Sequence, residues 1–364
     1  MNTLADNTHA ASARAGVLLV NLGTPDAPTP RAIRRFLAQF LADPRVIEIP
    51  RVLWLPILYG LVLPLRPRRL VHAYGQIWTD EGSPLLVFAR RQARGLQTRL
   101  QAQFQTEIPV ELAMSYGNPG IEAGLAALNA QDARRILLLP LFPQYSGTTT
   151  GAVMTAVFAG LKGQRWLPEL RSVNSYHDDT GYIAALASSV RTHWQIHGRG
   201  QHLLMSFHGI PRHYVLAGDP YYCQCQRTAR LLAEALQLEP GYWTVSFQSR
   251  FGKTPWIEPY TDARIKALAA AGTQTLDVLC PGFSADCLET LEEVSLRYKA
   301  DFLNAGGRSF RYIAALNDDD AHLDALAGIA IRNLMQWLPD ADSGVNVEQR
   351  QQRAKALEDA FYGR

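Results

Sequence analysis

Eight apolar runs rich in Val, Leu and Ile, each followed by helix-patterned sequence, constrain this chain more than any other feature. GVLLV (16–20) precedes a helix predicted from near Pro30, and PVELAMSY (109–116) precedes one around Ile121 to Asn129. RRILLLPLF (134–142) leads through PQYSGTTTGAV into a third helix. A second series follows. LRSVNSY precedes a helix from about Tyr182, HLLMSFHG precedes Tyr221 to Leu236, and WTVSFQSR precedes Asp262 to Ala271. TLDVLCPGF then precedes Asp286 to Tyr298, and RSFRYIAAL precedes Ala321 to Trp337. A strand without a polar alternate face is buried on both sides, and helices between such strands supply the cover. The pattern predicts an α/β fold with parallel sheets.

The chain has 364 residues, too long for one ordinary core and suited to two domains. The expected divisions are a disordered leader at 1–15, domains at 16–172 and 173–330, and a helical extension at 331–364. That extension reads as a helix packed on one domain or used in oligomer contact. The two halves begin alike: VLLVNLGTP (17–25) aligns without a gap to LLMSFHGIP (203–211), which sets Leu22 opposite His208.

A net charge of +3 leaves no nucleic-acid footprint. Four cysteines make no disulfide framework and fit a reducing, cytoplasmic setting. VLWLPILYGLVLPL (52–65) is almost wholly apolar but shorter than the ~20 residues a spanning helix needs, and Pro56 and Pro64 interrupt it. It fits either a buried helix or an exposed lip for a membrane surface or apolar ligand, with Arg51, Arg66, Arg68 and Arg69 on its flanks.

Ligands of open parallel sheets bind beyond the carboxyl ends of the strands, so the residues there are the candidates. They mix apolar and aromatic groups with one imidazole, His208, and the carboxylates of Asp286 and Glu289. Such a set suits a large flat apolar ligand with a few polar anchors. His208 ends a strand and meets a stiff Gly-x-Pro turn that aims its ring off the sheet, with Ser206 on the same face to orient it. The alternative is a hydrogen-bonded core histidine. Asp286 and Glu289 open a helix, either as a capping box or with Glu289 facing the crevice opposite His208. PQYSGTTTGAV reads as an anion-binding loop or an ordinary capped turn. Cys223 and Cys225 are too closely spaced for a standard zinc site.

These residues resemble the ferrochelatase family. The resemblance rests on LLMSFHGIP with GDPYY, VNLGTP (20–25), IWTDEGSPL (77–85), LFPQYSGTTTG (141–151), SFQSRFGKTPWIEPYTD (246–262) and PGFSADCLETLEE (281–293), all in the family's order across nearly the whole chain. It implies two Rossmann-like domains, each a parallel sheet flanked by helices, with the porphyrin in the cleft between them. It implies insertion of Fe2+ into protoporphyrin IX, the last step of haem synthesis. By position, His208 is similar to the family's essential histidine, Glu289 to its helix carboxylate, and Asp286 to a second acidic position. Leu22, Tyr116, Trp256 and Phe283 fall where the family lines the porphyrin, Phe142 joins that set, and Tyr74 and Ser83 fall where it holds the propionates. The 52–66 segment matches a membrane-facing lip, which implies peripheral contact with the inner membrane surface. Cys287, Ser115 and Gly147 depart from the animal enzymes, where a second histidine, an arginine and a cluster-binding cysteine stand. No cofactor is expected, no animal-type iron–sulfur cluster either, and iron enters as substrate.

On this reading His208 serves as base and Glu289 relays protons or offers iron, the two roles open to sharing. Three rivals remain: a cobalt chelatase of a related ring, a non-catalytic tetrapyrrole carrier, and a metal-dependent hydrolase. The last would want a tighter ligand set, such as two histidines at helical spacing, and none is expected here.

Overall fold

The computed structural model describes residues 14–252, 254–337 and 347–362. Most of the expected leader lies outside them, but its last two residues do not: β1 (Arg14–Thr24) starts at Arg14, and Ala15 is already buried. The strand begins early because Arg14 and Ala15 pair with Ala133 and Arg135.

The first half continues with α1 (Pro30–Ala42), α2 (Arg51–Ile57), a π-helical turn at Leu58–Val62, α3 (Leu63–Ile77) and α4 (Pro84–Phe104). Next come β2 (Val110–Gly117), α5 (Ile121–Ala130), β3 (Ala133–Pro140), α6 (Thr150–Leu161) and β4 (Glu169–Ser172). The second half runs α7 (Thr180–His197), β5 (His202–His208), α8 (Arg212–Leu216), α9 (Tyr221–Ala235), β6 (Trp243–Gln248) and α10 (Thr261–Ala270). It ends with β7 (Thr275–Leu279), a π-helix at Glu289–Tyr298, α11 (Lys299–Asn304), β8 (Ser309–Ile313), α12 (Asp320–Leu334) and α13 (Val347–Tyr362).

The strands form two four-stranded parallel sheets, ordered β2-β1-β3-β4 and β6-β5-β7-β8. Substituting β5 to β8 for β1 to β4 turns one order into the other. The short match between 17–25 and 203–211 thus marks equivalent central strands. Along β1, Val17 and Leu19 enter one core while Leu18 and Val20 enter another, as a period of two demands. The Val17 and Leu19 face belongs to the largest apolar cluster, which continues through α4, α7, α9 and α12 to Leu203, Met205 and Phe207 of β5. The two sheets are therefore held by one shared core. α12, which crosses residue 331, packs on α4 of the first half and α7 of the second.

The apolar segment at 52–65 is helical and largely uncovered. Trp54, Leu58 and Leu63 are buried, but Val52 is 81% exposed, Leu53 60% and Leu61 58%. The exposed-lip alternative describes it, because the helix turns only one side inward. Among the described residues no helix is long and apolar enough to cross a membrane.

Candidate active site

β5 and β6 run in register so that His208 stands beside Gln248. The chain then turns, and Gly209 N donates to Gln248 O at 2.8 Å. A Cβ on Gly209 would meet that oxygen at 3.0 Å and the Trp256 ring at 3.1 Å, so only glycine turns here without displacement. Pro211 bridges to Trp256, whose indole lies 6.3 Å from the His208 ring. His208 Nδ1 is 2.6 Å from Gly209 O. A carbonyl only accepts, so Nδ1 carries a proton, and a neutral imidazole held this way has its lone pair on Nε2. Ser206 does not orient the imidazole as expected. Its hydroxyl donates to Gln248 Oε1 at 2.7 Å and meets Thr261 Oγ1 at 2.9 Å.

Glu289 begins the π-helix, and its carbonyl accepts from Gln248 Nε2 at 2.9 Å. His208 and Glu289 are thus held through one residue, both half-buried. The capping-box alternative is not what forms. Asp286 Oδ1 accepts from Thr290 Oγ1 at 2.9 Å and Tyr312 OH at 2.7 Å, and Oδ2 accepts from Asn317 Nδ2 at 2.8 Å. With its oxygens engaged and its side chain buried, Asp286 braces the loop.

The first half supplies the facing wall. Tyr74 on α3, buried, has its phenol pushed up by burial first and then by Glu289 and Cys287, with Arg66 opposing. Arg66, on the same helix, is pulled down by burial while Glu289 and Tyr74 push it back up. Arg66, Tyr74, Cys287 and Glu289 therefore share one electrostatic neighbourhood across the two halves. Arg66 also lies over the Phe251 ring at 5.3 Å. Sequence reasoning placed it only on the lip's flank. Its position eight residues, about two turns, before Tyr74 was the usable signal.

Leu22, Leu288 and Leu291 pack on the cluster that holds Tyr74 and Tyr116. The Tyr116 hydroxyl donates to Asp43 Oδ2 at 2.8 Å, and burial followed by that carboxylate raises its pKa. Ser83 is buried, 2.8 Å from Thr24 Oγ1, and joins the end of β1 to the start of α4. Phe142 and Phe283, both expected to line the ring, pack in apolar clusters. Phe142 packs into the cluster under α5 and α6, and Phe283 wedges between Leu85, Phe88 and Cys287.

The PQYSG loop binds a carboxylate, but the chain's own. Asp219 Oδ2 accepts from Ser146 Oγ and Gly147 N, both at 2.8 Å, and Oδ1 accepts from Tyr221 N at 3.0 Å. The Gly-Asp-Pro turn after His208 thereby ties the two halves together. The cysteines do not converge. Cys225, Cys280 and Cys287 sit in three different apolar clusters, and Cys223 is exposed. One histidine pair does have helical spacing: His193 and His197 on α7, with rings 4.6 Å apart. Among the described residues no group of three or more His, Cys, Asp or Glu is placed to hold a metal.

Comparison with known proteins bears on the family and the fold. The Ferrochelatase family model matches residues 14–334. The chain is 56% identical over 351 residues to the ferrochelatase of Thioalkalivibrio sulfidiphilus (strain HL-EbGR7), covering 96% of this chain and 95% of that one. It is 50% identical over 359 residues to that of Nitrosococcus oceani, covering 97% of each. Among solved structures, SirB from Bacillus subtilis with Fe3+ superposes with a TM-score of 0.53 at 12% identity, over 90% of this chain and all of that one, a likeness of fold. The chain belongs to the ferrochelatase family, whose members are porphyrin metal chelatases.

Proposed function

We propose that His208 and Glu289 carry the family's reaction in this chain: Fe2+ enters protoporphyrin IX, two pyrrole protons leave, and protohaem forms. A flat macrocycle points its nitrogens inward and resists the metal. Walls that grip its edge can bend it, so that binding energy at the rim is used at the centre. Tyr74, Tyr116, Leu22 and Trp256 supply walls from both halves. Arg66, beside Tyr74, supplies a cation for the ring's carboxylates. Imidazole, with an ordinary pKa of about 6.5, is suited to take pyrrole protons near neutral pH. Glu289 passes protons on or offers a carboxylate to the arriving iron. The observation that carries this reading is the Nδ1 contact to Gly209 O, which leaves Nε2 as the free base.

The reading draws on no cofactor, with glycine at position 147 and the cysteines dispersed. The family match disfavours the cobalt-chelatase alternative. An anaerobic absorbance time course tests both points. The chain as purified should metallate protoporphyrin with ferrous iron, and it should leave sirohydrochlorin with cobalt untouched. The reverse preference would overturn the proposal.

The exposed lip, with Arg68 and Arg69 also exposed, supports peripheral contact with the inner membrane surface. Changing Val52, Leu53 and Leu61 to Ser should abolish cosedimentation with anionic vesicles while turnover on detergent-solubilised porphyrin persists. Unchanged cosedimentation would remove the lip from that role.

A further inference from the structure

The end of β6 carries a residue that no part of the proposed chemistry uses, yet both proposed groups hang from it. Gln248 is 1% exposed and meets four partners. Its carbonyl holds Gly209 N at 2.8 Å, closing the turn behind His208. Its side-chain amide donates to Glu289 O at 2.9 Å. Its Oε1 accepts from Ser206 Oγ at 2.7 Å and from Cys280 Sγ at 3.6 Å. The next residue adds a second leg: Ser249 N and Oγ both bond Glu293, at 3.0 and 2.5 Å, one turn along the same π-helix. Ser249 has φ +66°, a left-handed backbone that serine seldom adopts, and these two bonds hold it there.

The amide orientation is not free. Nε2 faces the Glu289 carbonyl, which only accepts, so a reversed amide would set oxygen against oxygen there. One side chain therefore spans from the strand under His208 to the first residue of the helix that carries Glu289. We infer that Gln248 is a positioning residue for metal insertion: it sets the separation between the imidazole and the Glu289 carboxylate without touching the porphyrin. Strand spacing puts Gln248 about 5 Å from His208, and the amide fixes the remaining distance to Glu289. A displacement of about 1 Å at such a site costs about a hundredfold in rate. The inference rests on the base and carboxylate roles proposed above.

The test measures kcat, porphyrin KM and thermal midpoint for Gln248→Met, which keeps the length and removes every side-chain hydrogen bond. Ser206→Ala keeps the amide donor and removes the hydroxyl that anchors Oε1, along with its contact to Thr261. Gln248→Met should lose ten- to a hundredfold in kcat with porphyrin KM changed by less than about twofold, and Ser206→Ala should lose about two- to fivefold. If Gln248→Met fails to fold, Ser206→Ala decides by the same kcat-against-KM split. Normal kcat in the folded variant overturns the inference. So does a loss of kcat, KM and midpoint together, which is the mark of a merely structural residue. His208→Ala, measured alongside, separates the two failures. If it stays active, the base assignment is wrong. If it is inactive while Gln248→Met is normal, only the positioning role falls.

Discussion

Leu22 and His208 occupy the same place in two copies of one topology. His208 ends β5 and Leu22 lies two residues before the end of β1, each on the strand second in its sheet's order and each followed by Gly-x-Pro. Around Leu22 the surroundings are apolar and aromatic: Phe36, Tyr74, Tyr116, Leu288 and Leu291. Beneath His208 lies a buried polar stack of Ser206, Gln248, Ser246 and Thr261, joined by hydrogen bonds of 2.7 to 2.9 Å. A strand end built over leucines can only cover a ligand. A strand end built over paired hydroxyls and an amide can hold a side chain at a fixed angle and keep one nitrogen free. The fold supplies two equivalent platforms, and the residues beneath each decide which one does chemistry.

Exchanging the two side chains is the sharpest way to break that comparison. The double change Leu22→His with His208→Leu keeps the composition of the cleft but moves the imidazole off its platform. It should lower insertion about a thousandfold, the scale of a lost general base. Retained activity would show that any imidazole in the cleft suffices. Next in size, Glu289→Gln should cut turnover about a hundredfold with porphyrin binding kept, since the Glu289 contact to Gln248 uses the backbone carbonyl. If only the thermal midpoint fell, the carboxylate would be structural.

The smallest effect concerns the brace behind the site. His322 is fully buried, with Nδ1 2.8 Å from Asn317 O, and burial lowers its pKa to about 4 despite that hydrogen bond. An unfolded histidine titrates near 6.5, so the folded chain binds fewer protons between those values. Stability should be full above about pH 6.5 and fall as pH drops toward 4, by at most about 3 kcal/mol from this group. His322→Gln should flatten that part of a curve of thermal midpoint against pH. An unchanged slope would locate the acid sensitivity in another group.

The fold was legible because most strands, such as β1, β3 and β5, announced themselves as continuous apolar runs and many of the turns carried glycine or proline. His208 and Glu289 were legible for a related reason: a strand exit and a helix start are local features. What escaped was set by contacts distant in sequence. Asp219 fills the hydroxyl-rich loop at 146–148 from about seventy residues away. Asp286 looked available until Asn317 and Tyr312, from beyond β7, used its oxygens. Arg66 gained its importance only when α3 folded against the π-helix. The choice between a buried and an exposed 52–65 segment likewise depended on packing that periodicity does not encode.

The most direct test uses His208→Ala loaded with protoporphyrin and mixed with anaerobic ferrous iron, with and without free imidazole. A porphyrin absorbance spectrum like that of the unaltered chain, no metallation without imidazole, and partial recovery with it are the expected results. Rapid insertion by this variant in the absence of imidazole would contradict the assignment of the free Nε2 as the proton acceptor.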